Sequence, residues 1–322
     1  MTENRQRPVP ADLEGVRADR AVAQMFELSR NAVRTLIDDG AVLIDGSAAV
    51  PAQRLAAGQI VTATIPEPPP RLEPAPVPFD VVYLDDDVLV VDKPAGLVVH
   101  PGAGTTAPTL VAGVVHRFPD QAGLEAERWG LVHRLDRDTS GLLVVARTST
   151  AFRALQTALR ARSVARTYLA LVEGVPDSAR GTIDAPLGRD PHQPTKVAVL
   201  RDGRVARTHF RRVAGWPSTT LLEVRLETGR THQIRVHLAS IGHPVIGDSA
   251  YGGRRRAHPA DAGRQWLHAA RLEFAHPTTG VAVCAVSPPP PDLTASLDGL
   301  GVPETGAIPS WQELLGTTTP SP

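Results

Sequence analysis

Two polar stretches of the chain carry residue types that can do chemistry. The first, HRLDRDTSG at 133–141, places Arg134, Asp136 and Asp138 on a predicted loop that leads directly into the apolar run LLVVA. A carboxylate in such a place can act as a nucleophile or as a general base. Two neighbouring acids could also form the pair that cleaves a glycosidic bond. On its own, however, an arginine beside a carboxylate is usually a structural ion pair.

The second polar stretch, LETGRTHQIRVHLASIG, begins at the end of a predicted strand. A helix is predicted at 231–242, and its polar side chains are His232, Gln233, Arg235 and His237. The two histidines stand at i and i+5, which points them apart rather than at one metal ion. We therefore expect both histidines to make structural hydrogen bonds, and we expect no metal site.

Several function classes are disfavoured by missing motifs. The chain has no G-x-S-x-G elbow, no G-x-x-x-x-G-K-[ST] loop and no H-E-x-x-H helix, which argues against hydrolase, NTPase and zincin activity. Its single cysteine, Cys284, excludes an internal disulfide framework and any cysteine-based metal cluster.

Composition predicts an ordinary globular protein rather than a membrane or secreted one. The 322 residues are 42% hydrophobic and 21% charged, with no apolar run of membrane-spanning length and no apolar signal core at the N-terminus. We expect a cytoplasmic protein with no membrane partner. The formal net charge of zero argues against a protein that coats nucleic acid through a large positive field, although a local basic patch is compatible with it.

The elements around the polar stretches suggest two domains. Residues 9–65 read as a helix pair packed on a small sheet, with a helix at Arg20–Phe26 and a second one capped by Ser29 and stopped by Gly40. Arginines on this module could bind phosphates. Alternatively, they could belong to a solvated helix face whose positive charge is balanced by neighbouring acidic residues. The arginines in question are Arg17, Arg20, Arg30, Arg34 and Arg54.

The rest of the chain divides into three predicted segments. Residues 66–78 hold seven prolines and form a linker, and residues 288–322 form a proline-rich, loosely attached tail with one short helix at SWQELL. Residues 79–287 form an α+β domain. Its predicted strands are DVVYL, DVLVVDK, GLLVVAR, RTYLALVEG, RTHFRRV, TTLLEVRLE, LHAARLEF and VAVCAVS.

Taken together, the motifs match one family in order. The stretches DVVYLDDDVLVVDKPAGLVVHPG, HRLDRDTSG, RTYLALVEG, GRTHQIRVHLA, GHPVIGD, YG and LHAARLEFAHP resemble the ribosomal large-subunit pseudouridine synthase D family. Residues 9–65, with the run LIDDGAVLIDG, are similar to the alpha-L RNA-binding domain. The resemblance implies a mixed, mainly antiparallel central sheet with flanking helices, preceded by a small α/β RNA-binding domain. It also implies ribosomal RNA as partner and no cofactor, and we take a monomer as the default state.

The resemblance further implies roles for particular residues. Asp136 corresponds to the catalytic aspartate, Arg235 to the arginine that pairs with it, and Tyr168 to the tyrosine that stacks on the target uracil. Ile234 would pack on the other face of that uracil, and Arg134 would enter the space that the flipped nucleotide leaves. Further substrate contacts are expected from Arg230, His232 and Gln233. In the alpha-L domain, Arg17, Arg20, Arg30 and Arg34 would contact RNA.

The implied reaction is an isomerisation of uridine to pseudouridine. The bond from uracil N1 to ribose C1′ breaks, the base rotates, and a bond from C5 to C1′ forms. The carboxylate could attack C1′, add to C6 of the base or remove the C2′ proton, and the residues leave these three routes open. Two rival functions are a catalytically silent RNA-binding factor and a glycosidase that pairs Asp136 with Asp138. We expect Asp138 to be a local turn residue instead.

Overall fold

The computed structural model describes residues 2–66, 72–101, 107–124, 128–193, 195–252, 258–308 and 310–319. The chain divides into two compact units, Met1–Arg71 and Leu72–Pro322. Of the predicted linker at 66–78, residues 67–71 lie outside the described part, and 72–78 have no regular secondary structure. Within the described residues, no helix is both long and apolar enough to cross a membrane.

The first unit is a pair of helices with a small antiparallel sheet. Its elements are β1 (Thr2–Pro8), α1 (Ala18–Phe26), α2 (Arg30–Asp38), β2 (Val42–Ile44), β3 (Ser47–Ala48) and β4 (Ile60–Pro66). The strands lie in the order β1-β4-β2-β3. Strand β1 escapes sequence analysis because it is an edge strand of polar residues, held by backbone pairing with β4 rather than by a buried face.

Local sequence signals explain the helices of this unit. The Ser29 hydroxyl accepts a hydrogen bond from the backbone N–H of Ala32 at 3.2 Å, which caps α2 as predicted. Gly40 follows the helix with a φ of +72°, a conformation that favours glycine. Val22 and Val33, one from each helix, are fully buried in the core that the unit shares with its sheet.

The second unit is built on a larger sheet. Its helices are α3 (Leu110–Arg117), α4 (Ser149–Arg160), α5 (Gln233–Ser240), α6 (Pro291–Asp298) and α7 (Trp311–Leu315). Its strands are β5 (Asp80–Leu84), β6 (Val88–Lys93), β7 (Ser140–Ala146), β8 (Ala165–Glu173), β9 (Arg180–Asp184), β10 (Leu187–Arg189), β11 (Val197–Val199), β12 (Arg207–Trp216), β13 (Thr219–Leu226), β14 (Leu267–Ala275), β15 (Ala282–Val286) and β16 (Thr305–Gly306).

The sheet order confirms the predicted fold class. Strands run β16-β12-β13-β8-β14-β7-β6-β5, with β15 also paired to β14 and β9 to β12. Among the described strands, β14 and β7 run parallel and the other pairs are antiparallel. The eight predicted strands correspond to β5–β8 and β12–β15. Strands β9, β10, β11 and β16 are short and partly exposed, so they lack an apolar pattern that the sequence could reveal.

The prediction of a loosely attached tail is wrong for the described part of 288–322. Leu293 and Leu297 of α6 and Leu315 of α7 are buried in the main core of the unit. The indole N–H of Trp266 also reaches the carbonyl of Leu293 at 3.1 Å. The prolines restrict the backbone, but leucines four positions apart still give α6 an apolar stripe that packs. The short helix predicted at SWQELL is confirmed as α7, which Ser310 caps.

Candidate active site

A cavity of about 560 Å³ opens between the 131–139 loop, strand β8 and the turn before α5. Its volume lies in the range of small-ligand sites, roughly 300–1,000 Å³. The cavity brings together all eight site residues that were predicted in the second unit. They are Arg134, Asp136, Tyr168, Arg230, His232, Gln233, Ile234 and Arg235.

The centre of the sheet brings the loop of Asp136 close to Tyr168. Strand β14 pairs with both β7 and β8, so that Ala269 lies opposite Gly141 on one side and Tyr168 on the other. Gly141 has a φ of +112°, and a Cβ there would lie 2.3 Å from the Ala269 carbonyl oxygen. Only glycine permits this approach. The loop that carries Asp136 into β7 is therefore held two strands away from Tyr168.

A buried lysine holds the backbone of this loop. Lys93, at the end of β6, is fully buried, and its ammonium group donates hydrogen bonds to the carbonyls of Pro94, Leu97 and Arg137 at 2.7–2.9 Å. Burial lowers the pKa of Lys93 to about 7. Since Arg137 directly follows Asp136, the lysine fixes the backbone beside the catalytic candidate. The sequence alone predicts no role for Lys93, although this residue lies in the stretch DKPAG.

Two further side chains, from the segment just before β14, hold the same loop. Arg264 donates to the carbonyl of Asp138 at 3.0 Å, and the Gln265 amide donates to the Thr139 hydroxyl at 3.0 Å. The Asp138 carboxylate turns outward and accepts two hydrogen bonds from Arg137, at 3.0 and 3.1 Å. This geometry favours a local turn role for Asp138 over a catalytic pair with Asp136.

The carboxylate of Asp136 is held by a buried arginine. Arg235 donates from Nη1 to Oδ2 of Asp136 at 3.0 Å, and from Nε and Nη2 to both oxygens of Asp248 at 2.7 and 2.9 Å. Asp248 has no exposed side-chain surface, whereas the Asp136 side chain is 18% exposed toward the cavity. Burial acts to lower the pKa of Arg235, but the hydrogen bonds and charges of the two carboxylates outweigh it and raise that pKa.

Asp248 is the residue that sequence analysis missed. It lies in the stretch GHPVIGD, but an aspartate directly after a glycine is typical of a turn. Its carboxylate also accepts the backbone N–H groups of Ala250 and Tyr251, at 2.9 and 3.1 Å. Burial acts to raise the pKa of Asp248, but the bidentate bond from Arg235 and the bonds from these backbone donors lower it by more. The net result is a lowered pKa. Asp248 therefore anchors Arg235 so that the arginine presents Nη1 to Asp136.

His232 lies beside the same carboxylate. Helix α5 begins at Gln233, two residues after the predicted start, because His232 adopts a left-handed conformation with φ 54° and ψ 18°. Its Nε2 is 3.9 Å from Oδ1 of Asp136, and its Nδ1 is 2.8 Å from the Tyr251 hydroxyl. The two histidine side chains point apart, as predicted. His237 contacts the Thr208 hydroxyl and a backbone carbonyl within the core.

The lining of the cavity is rich in arginine, but it also includes an aromatic and an apolar side chain beside Asp136. Tyr168 and Ile234 are both nearly buried and both line the cavity, as stacking on a flat base would require. Burial raises the pKa of Tyr168, so its hydroxyl is neutral near pH 7.

Gln233 lines the cavity, but its amide is engaged within the protein. Its oxygen accepts from the Thr228 hydroxyl and the Arg230 N–H, and its nitrogen donates to the Thr208 hydroxyl and to a backbone carbonyl. These bonds favour a role in holding the turn at 228–230 over the predicted contact with substrate.

The four predicted RNA-contacting arginines lie in the first unit. Arg17 and Arg30 each bond the carboxylate of Asp19 at 3.1 Å. Arg20 and Arg34 are exposed on α1 and α2. These four positions remain a prediction.

Comparison with known proteins identifies the family. Residues 87–240 match the family model described as RNA pseudouridylate synthase. A ribosomal large subunit pseudouridine synthase D of Xanthomonas campestris is 45% identical over 308 residues, which is 92% of this chain and 92% of that protein. The chain belongs to the RNA pseudouridine synthase family.

Two other similar proteins agree with this family. An uncharacterized RNA pseudouridine synthase of Chloroflexus aurantiacus is 48% identical over 293 residues, covering 90% of this chain and 92% of the relative. The solved structure of human RNA pseudouridylate synthase domain containing 1 is 28% identical with a TM-score of 0.57, covering 79% of this chain and 99% of that one. This synthase is therefore an isomerase that converts uridine in RNA to pseudouridine, on the pseudouridine synthase fold.

Proposed function

We propose that this synthase modifies uridine in large-subunit ribosomal RNA, in the cytoplasm and as a monomer, with Asp136 as its catalytic carboxylate. Support for the substrate comes from relatives such as the one from Xanthomonas campestris, whose names specify the ribosomal large subunit. Further support is the resemblance of residues 9–65 to an alpha-L RNA-binding domain. In this proposal Arg17, Arg20, Arg30 and Arg34 contact the RNA outside the reacting nucleotide.

One observation carries the catalytic assignment. In the Asp136 carboxylate, Oδ2 is bonded to Arg235, while Oδ1 faces the cavity with no hydrogen bond from the described residues. A nucleophile at C1′, a nucleophile at C6 and a base at C2′ all need a carboxylate oxygen that is free to react. The buried arginine fixes the orientation of the carboxylate before substrate arrives, which removes the cost of reorganising it during the reaction.

The other cavity residues have supporting roles in this proposal. Tyr168 and Ile234 hold the extracted uracil between them and exclude water that would hydrolyse the separated ribose. Arg134, exposed at the cavity, enters the space that the flipped nucleotide leaves, and the half-buried Arg230 contacts the substrate. No protein group needs to be consumed, because a C5–C1′ bond replaces the N1–C1′ bond that breaks, and the proton lost from C5 is balanced by one gained at N1.

The test is the substitution Asp136→Asn beside Asp138→Asn. Asparagine keeps the shape of aspartate but cannot act as a nucleophile or take up a proton near pH 7, so Asp136→Asn should release no tritium from 5-tritiated uridine in RNA. Binding of that RNA in a gel-shift titration should persist.

Asp138→Asn is the matched control, since its carboxylate is turned toward Arg137. We expect it to keep substantial activity. Clear tritium release by the Asp136→Asn enzyme would refute the assignment, and an inactive but folded Asp138→Asn enzyme would support the two-carboxylate rival.

A further inference from the structure

The hydroxyl of Tyr251 has two hydrogen-bonding neighbours. It lies 3.0 Å from the backbone N–H of Val197 on β11 and 2.8 Å from Nδ1 of His232. An amide N–H can only donate, so the hydroxyl oxygen accepts from Val197. The single proton of the hydroxyl then points to Nδ1, because otherwise it would lack an acceptor in a half-buried place.

This arrangement determines where the proton of the imidazole lies. A neutral histidine carries one ring proton, and a ring that accepts at Nδ1 must carry it on Nε2. Burial is the largest influence on His232 and lowers its pKa, which keeps the ring neutral near pH 7. The Nε2–H group therefore faces Oδ1 of Asp136, the oxygen that Arg235 does not bind.

The backbone and the rings around His232 hold this orientation. His232 is one of the few non-glycine residues with positive φ, a conformation that histidine tolerates better than most side chains do. Its ring meets that of Tyr251 edge to face, with centroids 5.6 Å apart. The guanidinium of Arg235 lies 5.1 Å from the centroid of the same tyrosine ring. One tyrosine thus contacts both groups that face Asp136.

We propose that Tyr251 is a positioning residue that selects the Nε2–H tautomer of His232, so that His232 presents a hydrogen-bond donor to the free oxygen of Asp136. The two atoms lie 3.9 Å apart, which is beyond hydrogen-bond distance, and we expect this distance to shorten in the reacting complex. This inference rests on the proposed catalytic role of Asp136.

The direct test observes the tautomer without any reaction. Long-range proton–nitrogen correlation spectra of the ¹⁵N-labelled full chain distinguish the two tautomers, and His232→Gln identifies the His232 signals by their loss. We expect Nε2–H in the wild-type protein and a shift toward Nδ1–H in Tyr251→Phe. A wild-type ring in the Nδ1–H form, or an unchanged tautomer in Tyr251→Phe, would overturn the proposal.

A kinetic test compares two amides at position 232. Glutamine places its N–H donor near the position of Nε2, whereas asparagine places it near Nδ1, although asparagine accepts the left-handed backbone more readily. We expect His232→Gln to turn over faster than His232→Asn by about three- to tenfold, the value of one hydrogen bond. Asparagine equal to or better than glutamine would mean that the backbone, not the donor, matters.

Combining the substitutions isolates the action of Tyr251. Tyr251→Phe should lower kcat by about three- to tenfold in the wild-type background and should change little in the His232→Gln background, because glutamine has no tautomers. Equal losses in both backgrounds would refute an action through His232. An active Asp136→Asn enzyme, in contrast, would defeat the proposed function while leaving the tautomer measurement valid.

Discussion

Both units of this synthase contain a buried aspartate bound by arginine, but the arginines differ in exposure. In the first unit, the Asp19 side chain is 8% exposed, and it is bonded by Arg17 and Arg30, whose side chains are 49% and 64% exposed. In the second unit, Arg235 is 8% exposed and bonds Asp248, which is fully buried. The arginines are therefore solvated in the first unit and buried in the second.

This difference separates the two kinds of work that the protein does. Exposed arginines are screened by water and salt, so they can exchange a carboxylate for a phosphate at lower cost than a buried arginine can. A buried pair cannot open without leaving an uncompensated charge. In the proposed function, the exposed arginines suit reversible contact with RNA, and the buried pair suits the fixed geometry that Asp136 needs.

The largest effect should follow from breaking the buried pair. Asp248→Asn keeps the size of the side chain but leaves Arg235 with one carboxylate partner, and removing one member of a buried pair costs about 3–5 kcal/mol. We expect a loss of stability of that size in denaturant titration and almost no tritium release. Asp19→Asn is the control in the first unit: it should cost less stability, because Arg17 and Arg30 remain in water, and it should leave tritium release unchanged. Comparable losses of stability and of activity in both variants would contradict the contrast between the two units.

A second substitution separates chemistry from RNA binding within the cavity. Tyr168→Ala removes one of the two surfaces that are proposed to hold the flipped base, and stacking of a base on an aromatic ring contributes about 1–3 kcal/mol. We expect turnover to fall by about 10- to 100-fold while RNA affinity in a gel-shift titration changes much less. If affinity falls as far as turnover, the cavity contributes to recognition as strongly as the surface does.

The buried cation Lys93 allows a test by pH. Its folded-state pKa of about 7 lies below the ordinary 10.5. Above pH 7 the unfolded chain therefore binds a proton that the folded protein has released. The contribution of Lys93 to the free energy of unfolding is lowest below pH 7 and rises with pH from there, by at most about 1.4 kcal/mol per unit.

Thermal unfolding of the wild-type protein and of Lys93→Met can measure this effect. Between about pH 7 and about pH 9 the wild type should gain stability relative to the variant. If the difference in stability between wild type and variant stays constant across that window, Lys93 keeps its proton despite burial. A charged ammonium group would then hold the loop at Asp136.

The smallest effect is expected at the exposed arginines. Replacing Arg30 and Arg34 together with alanine should weaken binding to long ribosomal RNA several-fold and reduce its salt dependence, because each phosphate contact releases about one counterion. Tritium release from a short stem-loop should be unchanged, since the reacting residues lie in the second unit. Equal loss on both RNAs would argue that the first unit takes part in the chemistry.

Much of this outcome could be predicted from local sequence. Apolar runs between turn residues predicted eight strands of the main sheet, and Ser29 and Gly40 predicted where α2 begins and ends. Asp136, Tyr168 and Arg235 could be named because they lie in motifs that resemble those of a known family. Periodicity and capping succeed here because they depend on neighbours within a few residues along the chain.

The partners of those residues were decided by tertiary structure alone. Nothing near Asp248 in the sequence indicates that it anchors Arg235, and nothing near Lys93 indicates that it holds the carbonyl of Arg137. Tyr251 likewise meets His232 only because the chain after α5 folds back onto the turn before that helix. Burial and charge at these positions depend on contacts between distant segments, which form only when β7 and β8 close on β14.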